Sequence, residues 1–157
     1  MIALKFETEI KGTCTEANHK GEIVIDSYSF GSSRYVAIND GERQTGVSNI
    51  SEMSLTKSTD ISSPDLFLQS TNGKSLGVAT LTVLQTGGST EDTQPYLIIT
   101  LSDALLTSYV IEGSKSRPTE RLHLSFTKIK FKYVEFNGNT KNGDVEKTYD
   151  LLAKKAG

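Results

Sequence analysis

The chain has 157 residues with 17 basic and 19 acidic side chains, which give a formal net charge of -2. This length favours a single domain of about 150 residues, and the near-balance of charge gives no reason to expect nucleic acid as a partner. Cys14 is the only cysteine, which excludes an intrachain disulfide and a cysteine-based zinc cluster within one chain.

The first residues alternate apolar and polar types, whereas a cleavable secretory signal has a basic segment followed by an unbroken apolar stretch. No run of about 18 apolar residues occurs, so we expect no membrane insertion. If the protein is exported, the sequence therefore predicts a route that accepts a folded chain without a leader peptide.

The N-terminal third predicts two strands followed by an irregular segment. Residues 2–10 alternate apolar and polar side chains with a period of two, which indicates a half-buried strand. Residues 22–31 are apolar on both faces and predict a well-buried strand. Residues 32–46 show no period, carry a turn signal at Asp40-Gly41 and are too long for an ordinary connection. They predict an extended loop.

The composition of this loop favours contact with another copy of the chain. Several of its residues are apolar, which would be unusual on the permanent surface of a monomer, and long loops commonly carry binding contacts. The predicted subunit or ring interface consists of Arg34, Tyr35, Val36, Ile38 and Arg43, and the alternative is a disordered insert.

Helix start and stop signals occur in the expected order at one place, around residues 64–71. Ser63 is a candidate N-cap, Pro64 suits the first helical position, Asp65 is favoured near the positive end of the helix dipole, and Asn72-Gly73 ends the helix. The sequence therefore predicts one short flanking α-helix.

The rest of the chain predicts strands, at residues 78–85, 96–113, 120–136 and 145–152. In the segment 120–136 the apolar positions change parity, so a bulge or bend is expected near Thr127 and Lys128. The predicted fold is all-β, as a compact β-barrel or a two-sheet sandwich with the short helix beside it. We expect residues 1–157 to form a single domain.

Five residues have side chains of the kinds that commonly take part in catalysis, namely Cys14, His19, His123, Glu91 and Asp92. None of them has the partner residues that a catalytic site needs. No Cys-His signature surrounds the cysteine, no opposing pair of acids can be placed, and Gly87-Gly88 lacks the spacing of a phosphate-binding loop. We therefore expect no catalytic residue, no cofactor-binding residue and no metal ligand, and we predict that the protein is not an enzyme.

Five sequence blocks share an order and a spacing that are more specific than any block alone. They are His19 with residues 21–31 ending SYSFG, MSLTKSTDISSPDLF at 53–67, Gly73-Lys74 with a strand ending at 86–88, PYLIITLSDALLTSY at 95–109, and PTERLHLSFTKIKFKY at 118–133. In this arrangement they resemble the Hcp family, the tube proteins of bacterial type VI secretion systems. The resemblance covers nearly the whole chain.

The resemblance implies a tight β-barrel that assembles into a homohexameric ring, with rings stacked into the inner tube of the secretion machine. Its implied partners are further copies of itself, a VgrG-type spike, a contractile sheath and effector proteins that it carries or chaperones in the lumen. It also implies assembly in the cytoplasm and then secretion through the machine without a cleaved signal peptide. The alternative is a monomeric secreted effector or ligand-binding β-barrel that shares the fold.

Two groups of residues are candidate surfaces within such a ring. Ser27 and Ser29 are small and polar and alternate with larger residues on their strand, which predicts a position at the lumen or cargo surface. Lys128, Lys130 and Lys132 form a basic stripe. We interpret the stripe as the solvated face of a strand, with an inter-subunit or lumen surface as the alternative. Loop 32–46 lacks the glycine-rich stretch common in the family, so family contacts do not transfer to it.

Overall fold

The computed structural model describes residues 1–87 and 93–157, which form antiparallel sheets and one α-helix. The helix, α1, spans Ser63–Asn72, and a 3₁₀ turn spans Ala17–His19. In chain order the strands are β1 (Ile2–Phe6), β2 (Ile23–Ile25), β3 (Ser27–Ser29), β4 (Ser32–Asn39), β5 (Glu42–Ile50), β6 (Met53–Ser58), β7 (Ala79–Thr86), β8 (Thr93–Ser102), β9 (Leu105–Glu112), β10 (Thr119–Ser125), β11 (Lys128–Asn137), β12 (Thr140–Asp150) and β13 (Lys155–Ala156).

Two sheets pack face to face around the core. The larger sheet has the strand order β13-β12-β11-β8-β7-β1-β2, and the smaller has the order β3-β6-β10-β9. Inward-facing side chains of both sheets, among them Leu4, Ile99, Leu55 and Leu122, are at most 1% exposed. The fold prediction is confirmed as a two-sheet sandwich, because the described strands form separate sheets and do not close into one barrel.

The predicted helix is confirmed and one residue longer at each end than its predicted span. Its N-cap is Ser62, and Pro64 lies in its first turn. Gly73 ends it with a left-handed φ of 64°, a conformation that glycine adopts without strain. Leu66 is fully buried and attaches the helix to the inner face of the smaller sheet beside β9.

Two segments predicted as single strands change sheets along their length. Segment 22–31 gives β2 to the larger sheet and β3 to the smaller, with Asp26 between them. Segment 120–136 is interrupted at Phe126 and Thr127, between β10 in the smaller sheet and β11 in the larger. The irregular residues at this crossing shift the alternation of inward and outward positions, which explains the parity change and places the predicted bend here.

The prediction of a loop at 32–46 is wrong, because β4 and β5 pair as a hairpin. We call this hairpin the β4–β5 arm. Its turn is Asp40-Gly41, with φ of 50° and 79°, as a two-residue hairpin turn of the mirror-image type requires. Residues 32–46 show no alternating pattern because they belong to a sheet of their own and almost all of their side chains are exposed, whereas only the end of β5, at Ile50, packs against the core. Alternation arises only where one face is buried.

Candidate functional site

The outer face of the smaller sheet is built of mostly small, polar side chains, and we call it the polar face. Core residues such as Leu55 and Leu122 occupy the alternate positions of its strands, so the remaining positions point outward. The strand register aligns these outward residues in two rows, Ser29-Ser54-His123-Ser108 and Ser27-Thr56-Arg121-Val110. Both predicted lumen residues, Ser27 and Ser29, therefore lie on one continuous surface.

Charges on the polar face are few and mostly paired. Arg121 lies 3.5 Å from Glu112 across β10 and β9, and both side chains are well exposed, so this ion pair adds little to stability. His123 lies near the centre of the face, beside an open depression that Ser29 and Glu52 also line. Such a surface can contact a polar protein without holding it strongly.

The smaller sheet presents strand edges on both sides within the described part of the chain, β3 on one and β9 on the other. An edge strand has unpaired N–H and C=O groups that can pair with another chain. Because the sheet has four antiparallel strands, β3 and β9 run in opposite directions. Strand β9 of one copy can therefore continue the sheet of a second copy by antiparallel pairing with its β3.

The β9 edge carries half-exposed apolar side chains on its inner side, where α1 lies. The Phe67 ring of α1 is 56% exposed and meets Tyr109 of β9 edge-on, with ring centroids 6.1 Å apart. Ile111, two residues further along the strand, is 50% exposed. These side chains gain burial only if something covers the edge.

A different apolar group lies beside the β3 edge. Phe30, directly after β3, has its ring centroid 5.9 Å from that of Phe131, and Tyr96 and Tyr133 are 6.3 Å apart. Phe131 and Tyr133 are nearly half exposed. Since the two edges carry different apolar groups, they suit a head-to-tail contact between copies and not a two-fold contact between identical surfaces.

All the predicted interface residues lie on the β4–β5 arm. Tyr35 and Ile38 are about three-quarters exposed, and Val36 is partly exposed. The Arg34 guanidinium donates to the Gly46 carbonyl within the arm at 2.8 Å, and Arg43 lies opposite Ile38. A two-stranded hairpin is marginally stable alone in water, so this arm is suited to gain order from a partner.

A buried charge cluster lies beneath the start of α1, and none of its residues is predicted as a site residue from sequence. Lys57 of β6 and Glu120 of β10 are both fully buried, with Lys57 Nζ 3.2 Å from Glu120 Oε1. The same Nζ donates to Asp60 Oδ1 at 3.0 Å, and Ser63 Oγ donates to the second Glu120 oxygen. The alternating pattern can indicate that Lys57 points inward, since it continues the inward positions of Leu55, but it does not indicate its partner.

The cluster shifts the pKa of two of its neighbours. Burial raises the pKa of Asp60, but hydrogen bonds from Ser62 and Lys57 outweigh it, so the net shift is downward. Burial and the negative charge of Glu120 raise the pKa of Tyr109 to about 12. Glu120 itself lies opposite Ile111 in the pairing of β10 with β9, which connects the cluster to this edge strand.

The other residues considered from sequence have local partners. His19 Nδ1 lies 2.8 Å from Glu22 Oε2, and Cys14 is buried with its Sγ 3.7 Å from Met1 Sδ. Lys130 and Lys132 of the basic stripe pair with acids of β12, Glu146 and Asp144, at 3.9 and 3.8 Å. Gly88, Glu91 and Asp92 lie outside the described residues. Within residues 1–87 and 93–157, no helix is long and apolar enough to cross a membrane.

Comparisons with known proteins agree with one another. Residues 4–133 match the family model described as "Type VI secretion system effector, Hcp". The chain is 37% identical over 87 residues to protein hcp1 of Pseudomonas aeruginosa, and this match covers 54% of the chain and 52% of the relative. Two solved structures share its fold over at least 97% of each chain, a type six secretion system protein (TM-score 0.88, 20% identity) and Hcp1 from Salmonella typhimurium (TM-score 0.80, 24% identity).

Proposed function

Because the chain belongs to the Hcp family of type VI secretion proteins, we propose that it assembles into homohexameric rings that stack as the inner tube of the secretion machine. The Hcp family is a structural tube family and is not known as an enzyme family. In this proposal residues 1–157 form one Hcp-like domain, and the protein acts by self-assembly.

The observation that carries this proposal is the smaller sheet, with a polar outer face and antiparallel edges at both sides. Pairing of β9 with the β3 of the next copy joins copies head to tail, and such a contact closes into a ring if the rotation between copies fits. The same pairing brings Phe67 and Ile111 of one copy near the aromatic group around Phe30 and Phe131 of the next. Apolar burial then stabilises the joint.

In such a ring the polar face lines the lumen. Small polar side chains such as Ser27 and Ser29 leave space for cargo, and the paired charges do not hold it tightly. The β4–β5 arm extends from the sandwich and contacts a neighbouring subunit or ring through Tyr35, Val36 and Ile38. Effector proteins are then the lumen partners, while the spike and the contractile sheath contact the assembled tube.

The proposal places assembly in the cytoplasm and secretion through the machine itself. The family is one whose members are secreted by the type VI system. A folded β-sandwich carried inside or as part of the tube does not need a cleaved leader peptide for that route. Detection of the uncleaved chain in the culture medium, lost when the secretion machine is disabled, is the expected result.

Native mass spectrometry of the purified chain tests the assembly claim. We expect a hexamer, and negative-stain images should show rings with a central hole and, at high concentration, stacked tubes. A chain that stays monomeric from micromolar to near-millimolar concentration would instead favour the monomeric effector or ligand-binding protein that shares the fold.

A further inference from the structure

Lys57 and Glu120 are the only charged residues among the buried residues that the structure describes. Removing a lysine and a carboxylate from water is costly, and apolar residues of similar volume in their place are often neutral or stabilising. The pair is therefore poorly explained as a source of stability. Buried ionic groups can instead fix one arrangement of neighbouring elements among several that are similar in energy.

The cluster connects four parts of the molecule at one point. Lys57 belongs to β6 and Glu120 to β10, while Asp60 lies in the turn before α1. Ser63, in the first turn of α1, accepts a hydrogen bond from the Asp60 N–H at 3.0 Å and donates to Glu120. Both bonds have directional requirements, so they fix the rotation and position of the start of the helix.

Apolar packing alone determines the orientation of α1 only weakly. Leu66 is its one fully buried apolar residue, whereas Phe67 and Leu68 are both more than half exposed. A small rotation of the helix would keep Leu66 buried and still move Phe67 relative to Tyr109. The polar bonds to Glu120 and Asp60 resist that rotation.

We propose that the charge cluster of Lys57, Asp60, Ser63 and Glu120 positions α1 against β9, and so sets the surface on which the next subunit docks. This inference rests on the proposed ring assembly. Glu120 connects both sides of that surface, because its side chain accepts a hydrogen bond from Ser63 of α1 and its backbone lies opposite Ile111 of β9. The four residues act through Phe67 and Tyr109, and do not themselves touch the neighbouring copy.

The test separates stability from assembly with the double variant Lys57→Met/Glu120→Leu, which removes both buried charges together. We expect a folded protein that melts near or above the wild-type temperature. Its rings should dissociate at a concentration at least ten times higher than wild-type rings do. Amide hydrogen exchange should become faster in α1 and stay unchanged in β6 and β10.

The matched control is Lys130→Gln/Glu146→Gln, which removes a solvent-exposed Lys–Glu pair of the larger sheet. It should change neither ring dissociation nor exchange in α1. If the buried double variant does not fold, two single variants replace it: Ser63→Ala removes the hydrogen bond from α1 to Glu120, and Asp60→Ala removes the bond from Lys57 to the turn before α1. Both should fold with weaker rings and faster exchange in α1.

Two outcomes would overturn the inference. The first is a folded double variant whose rings are as stable as wild-type rings. If the double variant does not fold, wild-type ring stability in both single variants has the same meaning. Either result removes the positioning role and leaves the proposed assembly intact. A wild-type chain that forms no rings under any condition overturns both the assembly and the role of the cluster.

Discussion

Truncation of Phe67 to alanine should weaken assembly strongly while leaving the subunit folded. In the isolated subunit this side chain is 56% exposed, so more than half of its surface adds nothing to folding. An aromatic side chain has roughly 200 Å² to bury, so about 110 Å² becomes available at the joint. At about 25 cal/mol per Å² its burial contributes about 2.8 kcal/mol per joint, which corresponds to about 100-fold in affinity.

The assay is a dilution series of Phe67→Ala and wild type, followed by analytical ultracentrifugation, with circular dichroism melting as the measure of folding. We expect the midpoint of ring dissociation to move by one to two orders of magnitude, and the melting temperature of the dissociated subunit to move by only a few degrees. Leu152→Ala is the matched control, because Leu152 is 79% exposed but lies in the turn between β12 and β13 of the larger sheet and belongs to neither β3 nor β9. Equal ring dissociation for Phe67→Ala and wild type would refute the β9 joint.

Three further predictions concern other parts of the molecule. Ser29→Arg should reduce co-purification of lumen cargo before it affects rings; unchanged cargo would remove Ser29 from the lumen surface. Replacing residues 32–46 with a short Gly-Ser linker should leave melting near wild type, since loop length costs little, but abolish stacking of rings; normal tubes would show that the arm is dispensable. One tyrosine should ionise near pH 12 in an absorbance titration, and Tyr109→Phe should remove that step.

The sign of the Tyr109 effect on stability follows from its raised pKa. The folded state holds the phenol proton more tightly than the unfolded state, whose tyrosines ionise near pH 10. The stabilising contribution is therefore complete below about pH 10 and is lost as the pH rises towards the folded-state pKa of about 12. Chemical denaturation at pH 9 and pH 11 should show a larger loss for wild type than for Tyr109→Phe.

Much of the fold can be predicted from sequence, because a strand with one face on the core shows a clear alternation of apolar and polar residues. The helix at 64–71 was found from its proline and its ending glycine, and the parity change near Thr127 marked a real crossing between sheets. The β4–β5 arm is not predicted as a hairpin because almost all side chains of residues 32–46 are exposed. The Asp40-Gly41 turn is the signal that remains, and it predicts a turn without its two strands.

The candidate surfaces were only partly accessible from sequence. Ser27 and Ser29 were identified, but their row with His123 and Ser108 depends on the pairing of strands far apart in the chain. Lys57 and Glu120 lie 63 positions apart, and neither sequence segment alone predicts that their side chains are in contact. The open edges of β3 and β9 likewise become visible only once the strand order is known.

Cryo-electron microscopy of the assembled protein, at a resolution that traces individual strands, tests the central claim most directly. The account predicts a closed ring in which β9 of each subunit pairs antiparallel with β3 of the next, with Ser29 and His123 facing the lumen. A ring lined by the larger sheet, or one whose subunits meet away from the β3 and β9 edges, would contradict it.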